Sequence, residues 1–138
     1  MTDSEKTLHG LIQNYGRNKQ RLAEKEERLK SKTYKITPSY SSTGGGGGNG
    51  TKSKVEDYAE KVLKLKREVA EYRRKVDTVK KALQCPELSY MERRTLKWIA
   101  DGGRPADLAE RDGIYISRIY KIRDKALKKA LRSLETTK

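Results

Sequence analysis

Tyr90-Met91-Glu92-Arg93-Arg94-Thr95-Leu96-Lys97-Trp98-Ile99-Ala100-Asp101-Gly102-Gly103, then Arg104-Pro105-Ala106-Asp107-Leu108-Ala109-Glu110-Arg111-Asp112-Gly113-Ile114, then Tyr115-Ile116-Ser117-Arg118-Ile119-Tyr120-Lys121-Ile122-Arg123 form the stretch that decides the fold. Continued to Leu134, it predicts a helix, a short helix, a tight glycine turn and a long basic helix, the grammar of a helix-turn-helix. Ser89 and Glu92 have the spacing of a capping box that opens the first of these helices. Leu96, Ile99 and Ala100 give that helix a buried face, with Trp98 at its edge, and Gly102-Gly103 stops it. Pro105 suits the first turn of the next helix, where its missing N–H costs nothing. Leu108 and Ala109 point inward, and Asp112-Gly113 supplies the turn. Ile114, Ile119, Ile122, Ala126 and Leu127 then make the inward stripe of the last helix, running on toward Leu131.

The polar positions between those apolar ones carry the functional expectation. Tyr115, Ile116, Ser117, Arg118, Tyr120 and Lys121 lie on the opening turns, where base edges and phosphates come within reach of a helix set in a groove. Ile116, Ser117 and Lys121 are expected at bases, Ile116 on a thymine methyl and Lys121 on a guanine edge. Arg118, Tyr120 and Arg123 are expected at phosphates, which fix register without reading sequence. Arg104 and the helix start at Pro105 suit the adjacent backbone, the positive end of a helix dipole favouring an anion. Lys125, Lys128, Lys129 and Arg132 read as an ordinary basic run toward a helix C-terminus.

Upstream of this unit, Val55, Tyr58, Val62, Leu65, Val69, Tyr72, Val76, Val79 and Leu83 alternate in spacings of three and four. That is the heptad of a helix-pairing seam, opened by a Ser53/Glu56 capping box and closed by Pro86. Lys61, Lys66, Arg73, Lys75 and Lys80 flank the seam, against Glu68. Two copies in parallel would set like charges opposite one another, so an antiparallel hairpin with the first helix is favoured over pairing between chains. That first helix is expected from about Ser4 to Lys30, opened by Thr2 and Glu5. Leu8, Leu11, Ile12, Tyr15, Leu22 and Leu29 form its stripe, and Glu24, Glu26 and Glu27 offset the basic flanks of its partner. Gly10 and Gly16 weaken it by about 1 kcal/mol each relative to alanine. Between the two helices, Thr33 to Lys52 with Pro38 and the run Gly44 to Gly50 reads as a disordered tether. The glycines mimic G-x-G-x-x-G but follow no apolar strand, and Thr51 separates Gly50 from Lys52 where a P-loop needs them adjacent. The expected segments are therefore a helix at 1–32, a linker at 33–52, a heptad helix at 53–85 and a DNA-binding domain at 86–138.

Composition narrows the function further. The net charge of +14, spread along 138 residues, points to double-stranded DNA or to RNA as the acidic partner, since neutralising phosphates releases condensed counterions. No long apolar face opposes the basic ones, and the polar N-terminus has no leader character, so a membrane partner is not expected and the location is cytoplasmic. A single His9 and a single Cys85 leave no metal cluster, no intrachain disulfide and no nucleophile motif, so neither an enzyme nor a bound cofactor is expected. His9 reads as a surface position and Cys85 as an inert residue beside Pro86.

With Leu108-Ala109, Gly113-Ile114 and Arg123-Asp124-Lys125-Ala126-Leu127 in place, Glu92 to Leu131 resembles region 4 of the sigma-70 family, the module that reads an upstream promoter element. Two positions depart from that pattern. Asp112 stands where a leucine is usual, which implies looser packing at the turn, and Tyr115 stands where Ser or Thr usually caps the recognition helix, which leaves its start uncertain by a residue or two. No counterpart of sigma region 2 is present. The overall layout is similar to the ArpU/RinA group of phage regulators, small activators of late genes. These segments and the resemblance together imply an all-α protein: a long, coiled-coil-like helical hairpin, its two helices connected by the disordered Gly-rich linker, joined to a small three-helix helix-turn-helix domain. The resemblance also implies a transcriptional role, with host RNA polymerase or a second copy as further partners. A small terminase-like packaging subunit recognising a packaging site is the alternative.

Overall fold

The computed structural model describes residues 1–36 and 54–136. Among them the chain is all helical: α1 (Asp3–Gln13), α2 (Tyr15–Ile36), α3 (Lys54–Leu83), α4 (Tyr90–Ala100), α5 (Pro105–Asp112) and α6 (Ile116–Thr136). The helix expected to run unbroken from about Ser4 to Lys30 is interrupted at Asn14. Its amide side chain shares the Gly10 carbonyl with its own backbone N–H (each 3.0 Å), and its backbone leaves helical geometry at φ −96°, ψ 9°. Gly10 and Gly16 bracket the break, so the local propensity to bridge it is low. At the other end α2 continues to Ile36, beyond the expected start of the tether at Thr33. The glycine run and the Ser53 cap lie outside the described residues.

The chain forms two compact units: Met1–Lys19 with Arg74–Lys138, and Gln20–Arg73. The expected segments 1–32 and 53–85 are thus each shared between them. In the smaller unit α2 and α3 pair antiparallel within one chain: Glu26 bonds Arg73 (2.9 Å), Lys25 bonds Glu68, and the Tyr58 hydroxyl donates to the Lys32 carbonyl (2.6 Å). Val62, Leu65 and Val69 are buried there, Tyr58 and Tyr72 half-buried, and Val55 stays exposed near the helix start. Glu26 is one of the acids expected to offset the basic flanks.

In the larger unit α4 packs on α5 and α6, α5 packs on α6, and α1 lies against both α4 and α6. Leu8, Ile12, Val79, Leu96, Leu108, Ile119 and Leu127 are fully buried. Each such aliphatic side chain contributes about 1.5–3 kcal/mol of transfer free energy. Val76 is also buried, but the inward line of α3 then runs on to Ala82 and leaves Leu83 half-buried. Docking of α1 on α6 follows from Leu8 and Ile12, which the heptad pattern had assigned to the hairpin. Its capping box is formed in full, Thr2 Oγ1 accepting from Glu5 N–H and Glu5 Oε2 accepting from Thr2 N–H. Cys85 is buried, its thiol directed at the Lys129 carbonyl (3.8 Å).

Candidate nucleic-acid interface

Two glycine turns of the same design set α4, α5 and α6 against one another. At the end of α4, Gly102 (φ +91°) donates to the Ile99 carbonyl and Gly103 to that of Trp98; at the end of α5, Gly113 (φ +66°) donates to Glu110 and Ile114 to Ala109. Each is a Schellman motif, in which a left-handed residue lets two N–H groups turn back onto the last carbonyls. Ile114 completes the second by packing on the cluster of Leu108, Ala109 and Ile119, which Trp98 also covers. Open space surrounds Gly113, so only backbone strain opposes a side chain there. Gly113→Ala is expected to lower stability by about 1 kcal/mol, read from urea unfolding.

The start of α5 is held from α4. The Trp98 indole N–H donates to the Arg104 carbonyl (2.8 Å), and a Cβ on Gly103 would lie 2.4 Å from that ring nitrogen. Glycine at 103 therefore lets the backbone lie flat on the indole, and Arg111 stacks 5.6 Å from the same ring system. We expect Gly103→Ala to displace Trp98 and cost about 1–2 kcal/mol, with a shift in tryptophan fluorescence that Gly113→Ala does not produce.

Asp112 does not loosen the turn as the missing leucine implied. Both its carboxylate oxygens are taken by Arg94, Nε at 3.2 Å and Nη2 at 3.0 Å, in a bidentate pair linking α4 to the end of α5. Glu92 carries a second link. It closes the capping box with Ser89, is almost fully buried, and receives Lys129 Nζ on Oε1 at 2.8 Å. Burial alone would raise its carboxyl, but the hydrogen bonds from Lys129 and Ser89 outweigh it and hold the group below its usual value.

The opening of α6 is bare. From Tyr115 to Lys121 only Ile119 is buried, while Tyr115 is 85 % exposed and Ile116 and Tyr120 are each 40 % exposed. The helix begins at Ile116, with the Tyr115 carbonyl accepting from Arg118 and Ile119 N–H (3.0 and 3.3 Å), so Tyr115 serves as the boundary residue that Ser or Thr would usually be. Ser117 and Lys121 lie one turn apart on a shared line, and Ile116 and Tyr120 on another. Arg104 is exposed at the N-terminus of α5, without a side-chain cap.

Arg123 stands apart from the other seven residues expected at DNA. Its Nε and Nη2 both donate to Asp124 Oδ1 (3.0 and 2.9 Å), its guanidinium lies 4.8 Å from the Tyr120 ring, and its side chain is only 15 % exposed. A guanidinium committed in this way supports Tyr120 from beneath rather than reaching a phosphate. His9 of α1 borders the pair and is half-buried, not the surface position its sequence context suggested. Burial and the Arg123 charge push its imidazole below the ordinary value, with Asp124 opposing. Neutral His9 therefore favours the folded state above about its ordinary pKa, and protonation in acid works against it.

Comparison with protein families, curated proteins and solved structures finds no match to this chain. Among the described residues no group of acidic, Cys or His side chains is placed to hold a metal, and no helix is long and apolar enough to cross a membrane.

Proposed function

We propose that this chain is a sequence-specific DNA-binding regulator of transcription, an activator of phage late genes, that reads its site with the first turns of α6. The observation that supports this reading most is the bare opening of α6. Tyr115, Ile116 and Tyr120 expose apolar surface beside Ser117, Arg118 and Lys121, on a helix whose other face is fixed by three neighbours. Exposed apolar side chains set among cations suit a groove that offers thymine methyls, acceptor edges and phosphates. The sigma-70 region 4 resemblance of Glu92 to Leu131 supports a promoter-proximal site, and host RNA polymerase is the further partner that such a position brings near.

A genome-wide map of bound DNA in host cells carrying the phage tests the biological half of this proposal. Focused occupancy upstream of late genes is expected. Occupancy confined to a packaging site would replace the activator by a packaging subunit, and even occupancy along the genome would remove sequence reading altogether.

A further inference from the structure

The basic run toward the end of α6 divides into two kinds of residue that its sequence does not distinguish. Lys129 turns inward to the buried Glu92 carboxylate and belongs to the scaffold. Lys125, Lys128 and Arg132 are exposed, and with Arg118 and Lys121 they recur at spacings of three and four. At 100° per residue those five cations fall on one line, opposite the buried Ile119, Ala126, Leu127 and Ala130. Between Arg118 and Arg132 the line carries no acidic residue, and Glu135, one turn further on, ends it. Asp124, the nearest along the helix, is engaged by Arg123 to one side of it.

The rise of a helix separates their tasks. Counting from Ile116, Lys125, Lys128 and Arg132 stand about 13, 18 and 24 Å along the axis, whereas the major groove is about 12 Å wide. A helix that enters N-terminus first therefore carries these three past the base edges and over the flanking sugar-phosphate wall. We infer that Lys125, Lys128 and Arg132 form a second, sequence-independent contact of the same helix, binding phosphates of duplex DNA beyond the bases read by its opening turns. The inference rests on the proposed DNA-reading role. It is favoured over an acidic protein partner because the three cations continue the line of Arg118 and Lys121 without interruption.

The test is a salt titration of duplex binding by the full chain and by a Lys125→Gln, Lys128→Gln, Arg132→Gln variant, on a preferred duplex and on a scrambled one. All three positions are solvent-exposed, so the variant should keep the thermal transition of the parent; Lys129→Gln serves as the contrasting case in which stability falls. Three lost phosphate contacts should flatten the slope of log K against log salt by about 2.7. Affinity should fall by a similar factor on both duplexes, leaving their ratio unchanged. An unchanged slope, with preference for the first duplex intact, would overturn the second contact while sparing the proposed function. The same unchanged slope accompanied by loss of binding to an acidic protein would assign the line to that partner. Failure of the parent chain to bind either duplex would remove both proposals together.

Discussion

Replacing Arg118 and Lys121 together with alanine is expected to abolish preference among duplex sequences while leaving the fold intact. Both residues are exposed on the first turns of α6, and no contact within the large unit depends on their charges. One good base-edge contact discriminates by about 1–3 kcal/mol, so losing Lys121 should cost roughly 5- to 150-fold in affinity for the preferred duplex. Removing Arg118 takes away a phosphate contact and should lower affinity on all duplexes alike. The double variant should therefore bind near the level of a scrambled duplex, read by anisotropy at fixed salt, with an unaltered melting transition. Retained preference would mean that α6 enters no groove, whatever the charge of its surface. Arg123→Ala should behave differently. Its guanidinium serves Asp124 and Tyr120, so the variant should lose stability as well as the ordering of Tyr120.

Glu92→Ala is expected to give the largest loss of stability among the polar substitutions. It removes the carboxylate half of the capping box of α4, which accepts from Ser89 N–H, and leaves Lys129 without its partner on α6. Losing that hydrogen bond costs about 1 kcal/mol, and stranding one member of a largely buried pair adds to that, for about 2–3 kcal/mol in all, discounted because Lys129 keeps some access to water. The pH dependence identifies the cause. The carboxyl of Glu92 is held below its unfolded value, so its contribution is complete above the ordinary carboxylate range and disappears as pH falls through the lowered folded value. Unfolding free energy of the parent should thus decline more steeply in acid than that of Glu92→Gln. Equal slopes for the two would show that the carboxylate is not held by Lys129. His9 contributes a second acid sensitivity at higher pH, since its folded value is also depressed, and His9→Gln should remove it separately.

What could be seen in the sequence is what repeats or punctuates locally. The boundaries of α4, α5 and α6 follow from Ser89, Gly102, Pro105 and Gly113, because each acts through its own backbone within a few residues. The heptad residues Val62, Leu65, Val69, Val76 and Val79 were legible as one buried line for the same reason. The partner of a helix is a different matter. An amphipathic stripe says that a face is buried but not against what, and so Leu8 and Ile12 of α1, assigned to the hairpin, pack with the unit that holds α4 and α6. The break at Asn14 was hidden because asparagine only weakly disfavours helix, and its effect depends on a side-chain bond to Gly10. Pairing across the fold was equally hidden: Arg94 with Asp112, and Lys129 with Glu92, link residues far apart in the chain. Those pairs sort the cations of α6 into scaffold and surface, which charge patterning alone cannot do. Arg123 is the clearest case. Its neighbour Asp124 was visible, but whether an adjacent acid claims a guanidinium depends on the rotamers that packing against α1 permits.

Sequence reading by the first turns of α6 is tested by a selection of bound duplexes from a random pool by the full chain, run beside the Arg118→Ala, Lys121→Ala variant. A recurrent short motif enriched by the parent and absent from the variant pool is expected, with binding to the unselected pool retained by both at low salt. A parent pool that stays random, or the same motif recovered by the variant, would contradict sequence reading by α6.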